Sequence, residues 1–187
     1  MSFPGIPSLD AAVMAFIQTH FHNTVTDTVF PIITSLGEAG IGWIVLSLVL
    51  LCFKKTRRTG GLVLIAMTVT LLFGELTLKN IICRLRPCNV FTNFPMLIAR
   101  PTSYSFPSGH TSSSFAAALI LTLRHKKVGW LAYIPAVLIA FSRIFLFVHY
   151  PTDVLAGILL GTLAALLTYF AAKAIQKRQA EKHTAQI

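Results

Sequence analysis

Acidic side chains are nearly missing from this chain: six Asp and Glu stand among 187 residues, against sixteen Lys and Arg. Charge of either sign is scarce at 12%, whereas 55% of the residues are hydrophobic and the mean hydropathy is +0.71. That balance excludes an ordinary water-soluble domain and points to a membrane bundle, for which one domain over residues 1–187 suffices. Cysteine is also sparse. Cys52, Cys83 and Cys88 are odd in number and lack the paired spacing of a zinc site, so neither a metal centre nor a disulfide framework is expected. Cys83 and Cys88 lie close enough to pair, but free thiols are the expected state. With so few carboxylates there is no Asp/Glu/His ligand cluster, and no cofactor is expected. The net charge of +10 does not read as a nucleic-acid footprint, because the cations sit in short clusters between long apolar runs and form no solvated stripe. Residues 1–24 lack a basic start followed by an apolar core, so a cleavable signal peptide is not expected.

What is present is a series of apolar runs. A membrane span needs about 20 mostly apolar residues. Five runs qualify or nearly do: about 28–53, softly broken at Gly37-Glu38-Ala39-Gly40, then about 60–78, 108–123, 128–148 and 152–172. Before them, residues 9–22 place Leu9, Val13, Phe16, Ile17 and Phe21 at helical spacings but carry too many polar groups to span, which fits an interfacial helix within residues 1–26. Residues 88–107 read as an exposed loop, because Pro95, Pro101 and Pro107 oppose continuous helix. Residues 174–187 form a polar tail. The expected fold is therefore an all-α integral membrane bundle of about five transmembrane helices plus an N-terminal interfacial helix.

The cations orient this bundle. Eleven Lys and Arg fall at one set of helix ends, in the clusters 54–58, 124–127 and 173–182, while Lys79, Arg84, Arg86, Arg100 and Arg143 fall at the other. The positive-inside rule assigns the first side to the cytoplasm and the second to the outside. The unusual polar residues then lie in one outer layer.

An ionisable group at membrane depth costs roughly 2.5–3.5 kcal/mol even on insertion scales, so it survives by facing a partner, a cavity or a substrate. Ser142-Arg143 and His149-Tyr150-Pro151-Thr152-Asp153 interrupt one of the most apolar stretches. A His followed four residues later by a carboxylate matches a catalytic imidazole with its orienting group, and equally a structural hydrogen bond. Lys79 and Arg86 are seven apart, nearly one helical face, so two cations can point at one place; standing alone they also read as snorkelling interfacial residues. Glu75, one turn before Lys79, suits an ordinary helix ion pair. Pro107-Ser108-Gly109-His110 precedes an apolar helix, where Ser can cap, Gly lets a ligand approach, and free N–H groups favour an anion.

Taken together, Lys79-x6-Arg86-Pro87, Pro107-Ser108-Gly109-His110 and Ser142-Arg143-x5-His149-x3-Asp153 resemble the three-part signature of the type 2 phosphatidate phosphatase and vanadium haloperoxidase superfamily, with no position departing from it. The resemblance covers residues 79–153. It implies that His149 attacks phosphorus to give a phosphohistidine, that Asp153 orients His149, and that His110 protonates the leaving oxygen and then helps activate water. It further implies that Lys79, Arg86, Ser108, Gly109 and Arg143 hold the phosphate oxygens, and that no metal is needed. Fixed cations and helix amides can stabilise an anionic transition state without one.

Outside the signature, Arg84 lies about 140° around a helix from Lys79 and reads as interfacial. Arg100, Tyr104 and Ser105 read as ordinary loop residues, and Phe147 and Tyr150 as membrane anchors or as walls of the tail path. The expected activity is hydrolysis of a lipid phosphomonoester or diphosphate at the outer face of a bacterial inner membrane, with undecaprenyl diphosphate the first substrate and phosphatidylglycerophosphate or phosphatidate the alternative. A non-catalytic lipid-phosphate binder or transporter is the reading from another class. Peroxidase chemistry on vanadate is a further one, which the five apolar spans disfavour. The expected partners are the lipid substrate and the bilayer, with no nucleic acid, and the oligomeric state is not legible.

Overall fold

In the computed structural model, which describes residues 3–184, local capping chemistry starts the helices and apolar runs sustain them. α1 spans Ser8–His20, and α2 (Thr24–Leu36) opens on a capping box in which Asn23 Oδ1 accepts from Val25 and Thr26 N–H and Thr26 Oγ1 returns the bond to Asn23. α3 (Ile41–Cys52) follows α2 across a 44° bend. The expected soft break is a full kink, because Ala39 (φ 48°) and Gly40 (φ 71°) take left-handed backbone there.

α4 (Arg57–Thr70) runs through a π-helical segment (Leu71–Leu78) into α5 (Lys79–Ile82). Helix stops at Cys83, which is left-handed (φ 51°), and Arg86 is extended, as a residue before proline prefers to be. Lys79 and Arg86 therefore do not share a helix, contrary to the expectation from their spacing. α6 (Pro87–Val90) is a single turn inside the long 88–107 connection.

α7 (Gly109–Arg124) is the central rod, with most of its length buried, and α4, α8 (Tyr133–Phe145) and α9 (Pro151–Thr184) pack around it. Its closest neighbour is α9. Gly157 and Gly161, one turn apart on α9, lie against the backbone of Ser108 and Ser112, so any Cβ there would meet main-chain oxygen. This is the small-xxx-small contact that lets membrane helices approach. Outward, Leu155, Leu159, Leu163 and Leu167 of the same helix form an exposed i,i+4 stripe. An apolar stripe of that length facing out is stable against acyl chains, which identifies the outer surface of the bundle as lipid-facing.

Among the described residues, two stretches, Arg57–Val90 with its break at 83–86 and Pro151–Thr184, are long and apolar enough to cross a bilayer, and the bent α2–α3 pair is a third. The remaining two expected spans are the shorter rods α7 and α8, and α7, at 16 residues, has its flanks buried by neighbours. α9 continues as helix through the polar tail to Thr184; residues 185–187 of that tail and residues 1–2 of the N-terminal segment lie outside the described residues.

α1 leaves Leu9 and Phe16 exposed, whereas Asp10, Met14, Ile17 and Gln18 face the bundle. The polar pair meets backbone at the end of α8 and the start of α9: Gln18 Nε2 donates to Ile144 O (3.3 Å) and Phe145 O (3.0 Å), and Asp10 Oδ1 accepts from Thr152 N (2.9 Å).

Candidate active site

Six of the eight side chains and turns singled out in the sequence converge on one cavity of about 1090 Å³: Lys79, Arg86, Gly109, His110, Arg143 and His149. They arrive from five pieces of chain. α5 brings Lys79, the extended segment before Pro87 brings Arg86, the first turn of α7 brings Gly109 and His110, the end of α8 brings Arg143, and the α8–α9 connection brings His149.

The cations are held by separate partners. Arg86 is buried, with Nε donating to Ser103 O (2.7 Å), Nη2 to Ser103 Oγ (3.0 Å) and Nη1 to Val148 O (2.9 Å). Arg143 is also buried; its Nη1 donates to Thr34 Oγ1 from the bent α2, while its Nε has no partner among the described residues. A buried guanidinium donor left open at a cavity wall is matched by an anion. Lys79 Nζ donates to Glu75 Oε2 (2.7 Å), the helix pair expected from their spacing. Glu75 also lies against Gly109: a Cβ at that position would overlap its Oε1, so any larger residue would have to push the carboxylate aside from the start of α7.

His149 is placed to act as a nucleophile. Arg86 Nη1 points at its Nε2 at 2.9 Å, and because a guanidinium only donates, Nε2 must carry the lone pair and Nδ1 the proton. His149 lies in the connection between α8 and α9, and burial, reinforced by the Arg86, Arg143 and Lys79 charges, holds its imidazole well below the ordinary value of 6.5. It is neutral at pH 7.

Nδ1 faces Asp153 Oδ2 at 3.6 Å, too far for a good direct bond, with Ser105 Oγ beside both. Ser105 Oγ donates to Asp153 Oδ2 at 2.5 Å and stands 3.4 Å from Nδ1. The buried Asp153 carboxylate also accepts from Tyr150 N (2.9 Å) and from Arg84 Nη1 (2.7 Å). Its orienting contact to His149 is thus shared with a serine that reads in sequence as plain loop.

Other expectations are corrected by the coordinates. Ser108 does not line the cavity and makes no side-chain cap; its Oγ accepts from Thr111 Oγ1 (2.9 Å) and its N–H donates to Asp153 O (3.1 Å), because the close α7–α9 contact takes up its turn. Arg84 is no free interfacial residue but bonds Asp153 and Asp10. Arg100 fastens the long connection through the carbonyls of Cys88, Thr92 and Phe94 and reaches the cavity rim. Phe147 is fully buried, stacked on Phe94 at 3.9 Å, and Tyr150 lies under the Arg84 guanidinium, so neither is a membrane anchor. The three cysteines are free.

A helical membrane bundle enclosing three cations and two histidines around one cavity defines a class: membrane proteins that bind an anionic group and can transfer it. The chain belongs to the PAP2 superfamily, whose model matches residues 59–177, a family of metal-independent lipid phosphatases. It is similar to the undecaprenyl-diphosphatase of Sulfolobus acidocaldarius (39% identity over 127 residues, 67% of this chain and 61% of that protein). It is also similar to undecaprenyl-diphosphatase BcrC of Bacillus subtilis (31% over 157 residues, 79% and 76%). The chain thus spans about three fifths of the length of the Sulfolobus relative. Among solved structures, the PAP2-type phosphatidylglycerolphosphate phosphatase from Bacillus subtilis superposes with a TM-score of 0.73 at 29% identity, covering 92% of this chain and 89% of that one.

Proposed function

We propose that the protein is an integral-membrane lipid phosphatase that cleaves a lipid diphosphate or phosphomonoester through a phosphohistidine, with undecaprenyl diphosphate as its substrate and the outer membrane face as its site of action. The observation that carries the reading is the lone pair of His149 Nε2 facing Arg86 inside a cavity that Lys79 and Arg143 also line. The two undecaprenyl-diphosphatases among its relatives favour that substrate, and the lopsided distribution of Lys and Arg favours the outward site.

In this mechanism Arg86, Arg143 and Lys79 take the phosphate oxygens, Lys79 exchanging Glu75 for the substrate and Arg86 Nη1 turning from His149 Nε2 to the phosphate, which frees the lone pair. His149 Nε2 gives its lone pair to phosphorus, the bond from phosphorus to the bridging oxygen breaks, and His110 protonates that oxygen as the lipid product leaves. Positive charge then develops on the imidazole, and Asp153 and Ser105 stabilise it from the Nδ1 side. Water, losing its proton to His110, attacks phosphorus; the P–N bond breaks, its electron pair returns to Nε2, and inorganic phosphate departs. Two displacements let one histidine be nucleophile and leave the water step to the other.

A second reading, a phosphatidylglycerophosphate or phosphatidate phosphatase, is favoured by the likeness to the Bacillus subtilis structure. The purified chain in detergent, with chelator present, is tested on undecaprenyl diphosphate, phosphatidylglycerophosphate and phosphatidate. Phosphate release from the first at the highest kcat/KM supports the proposal, and preference for a glycerophospholipid selects the second reading. His149→Ala should abolish turnover; unchanged binding with no turnover by the unaltered chain would mark a lipid-phosphate binder instead.

A further inference from the structure

Behind the cavity lies a second polar cluster that the proposed chemistry meets only at Asp153. Arg84 Nη1 donates to Asp153 Oδ1 and to Thr152 Oγ1, each at 2.7 Å, and its Nη2 donates to Asp10 Oδ2 at 2.7 Å. Asp10 comes from α1 and is completely buried, like Asp153. Its Oδ2 also accepts from Thr152 Oγ1 (2.7 Å), and its Oδ1 from Thr152 N (2.9 Å). The Arg84 guanidinium closes the cluster over the Tyr150 ring at 3.8 Å from its centroid. None of Asp10, Arg84, Thr152 or Asp153 lines the cavity.

One cation is here divided between two buried carboxylates. A carboxylate supports a developing imidazolium only with the negative charge that its other partners leave unmatched. An Arg84–Asp153 pair alone is neutral; with Asp10 added, the three groups carry a net charge of −1. We propose that Asp10 and Arg84 are positioning residues of the active site, through which α1 fixes the orientation and the uncompensated charge of Asp153, and so of His149. α1 is then a working part of the enzyme as well as a helix lying against the membrane. The inference rests on the phosphatase reading given above.

The test uses the purified full chain and the best substrate of the lipid panel. Asp10→Asn keeps the shape and an acceptor for Thr152 N–H but removes the charge. The expected result is a kcat lower by roughly 10- to 100-fold with KM within about twofold, as for other partners that act through a first residue. A role confined to clamping α1 would lower the melting temperature and leave kcat per folded molecule unchanged, and that result overturns the inference, as does a rise in KM alone. Should Asp10→Asn not fold, Thr152→Val removes the bridging hydroxyl and leaves all three charges. A kcat reduced by about 3- to 10-fold sustains the inference and an unchanged kcat overturns it. Normal turnover by the unaltered chain with unaffected variants sinks this inference alone. Absence of turnover by the unaltered chain sinks the phosphatase reading, and this inference with it.

Discussion

Asp153→Asn is the sharpest probe of the proposed chemistry, because it removes one charge and almost no volume. The carboxylate lies 3.6 Å from His149 Nδ1 and is fully buried. A unit charge at that distance from an imidazolium, with an effective dielectric constant of about 20, is worth about 4–5 kcal/mol, and most of that appears only as the phosphohistidine forms. The expected loss in kcat is therefore about 10³-fold, with KM little changed, since Asp153 does not line the cavity. The amide can still accept from Ser105 Oγ and Tyr150 N, and Arg84 keeps Asp10, so the chain should fold. Phosphate release from mixed micelles, normalised to monodisperse protein, measures the effect beside His149→Ala, which should have no turnover. A kcat within tenfold of the unaltered chain would refute the electrostatic argument. A loss as total as that of His149→Ala in a folded protein would require Asp153 to do more than orient and stabilise.

Two further predictions follow from particular contacts. Gly109→Ala should lower turnover about tenfold, because its methyl takes the place of the Glu75 carboxylate, which must swing aside, and crowds the cavity wall beside His110; full activity in the same assay would show that the space at Gly109 is not needed. For orientation, Leu97→Cys in a chain whose Cys52 and Cys83 are replaced by Ser should react with an impermeant maleimide on intact cells, Leu97 being exposed in the long connection. Labelling only after permeabilisation would invert the topology.

The N-terminal helix shows where reading a sequence stops. Its spacing of Leu9, Phe16 and Phe21 speaks of an apolar face, and that face is exposed while Asp10 and Gln18 bind the start of α9 and the end of α8. Asp10 is not marked out in the sequence, because residues 9–22 hold several polar groups and one carboxylate among them reads as facing water. Ser105 carries no mark either: serine is ordinary in a loop, and only the folded connection sets it beside His149 and Asp153. Arg84 was placed by helical geometry that Cys83 ends one residue earlier.

Composition and hydropathy are enough to read the chain as helical and membrane-bound, and the topology they imply puts His110, His149 and three of its cations in one layer. The reason is energetic: ionisable groups are costly in an apolar chain, so each one present points to a site. Tertiary structure alone decided which neighbours complete that site. Ser105, Thr34 and Ser103 are common residue types and Asp10 sits in a polar N-terminal helix; all are brought in from distant segments, and contacts across such separations leave no period or motif in the chain.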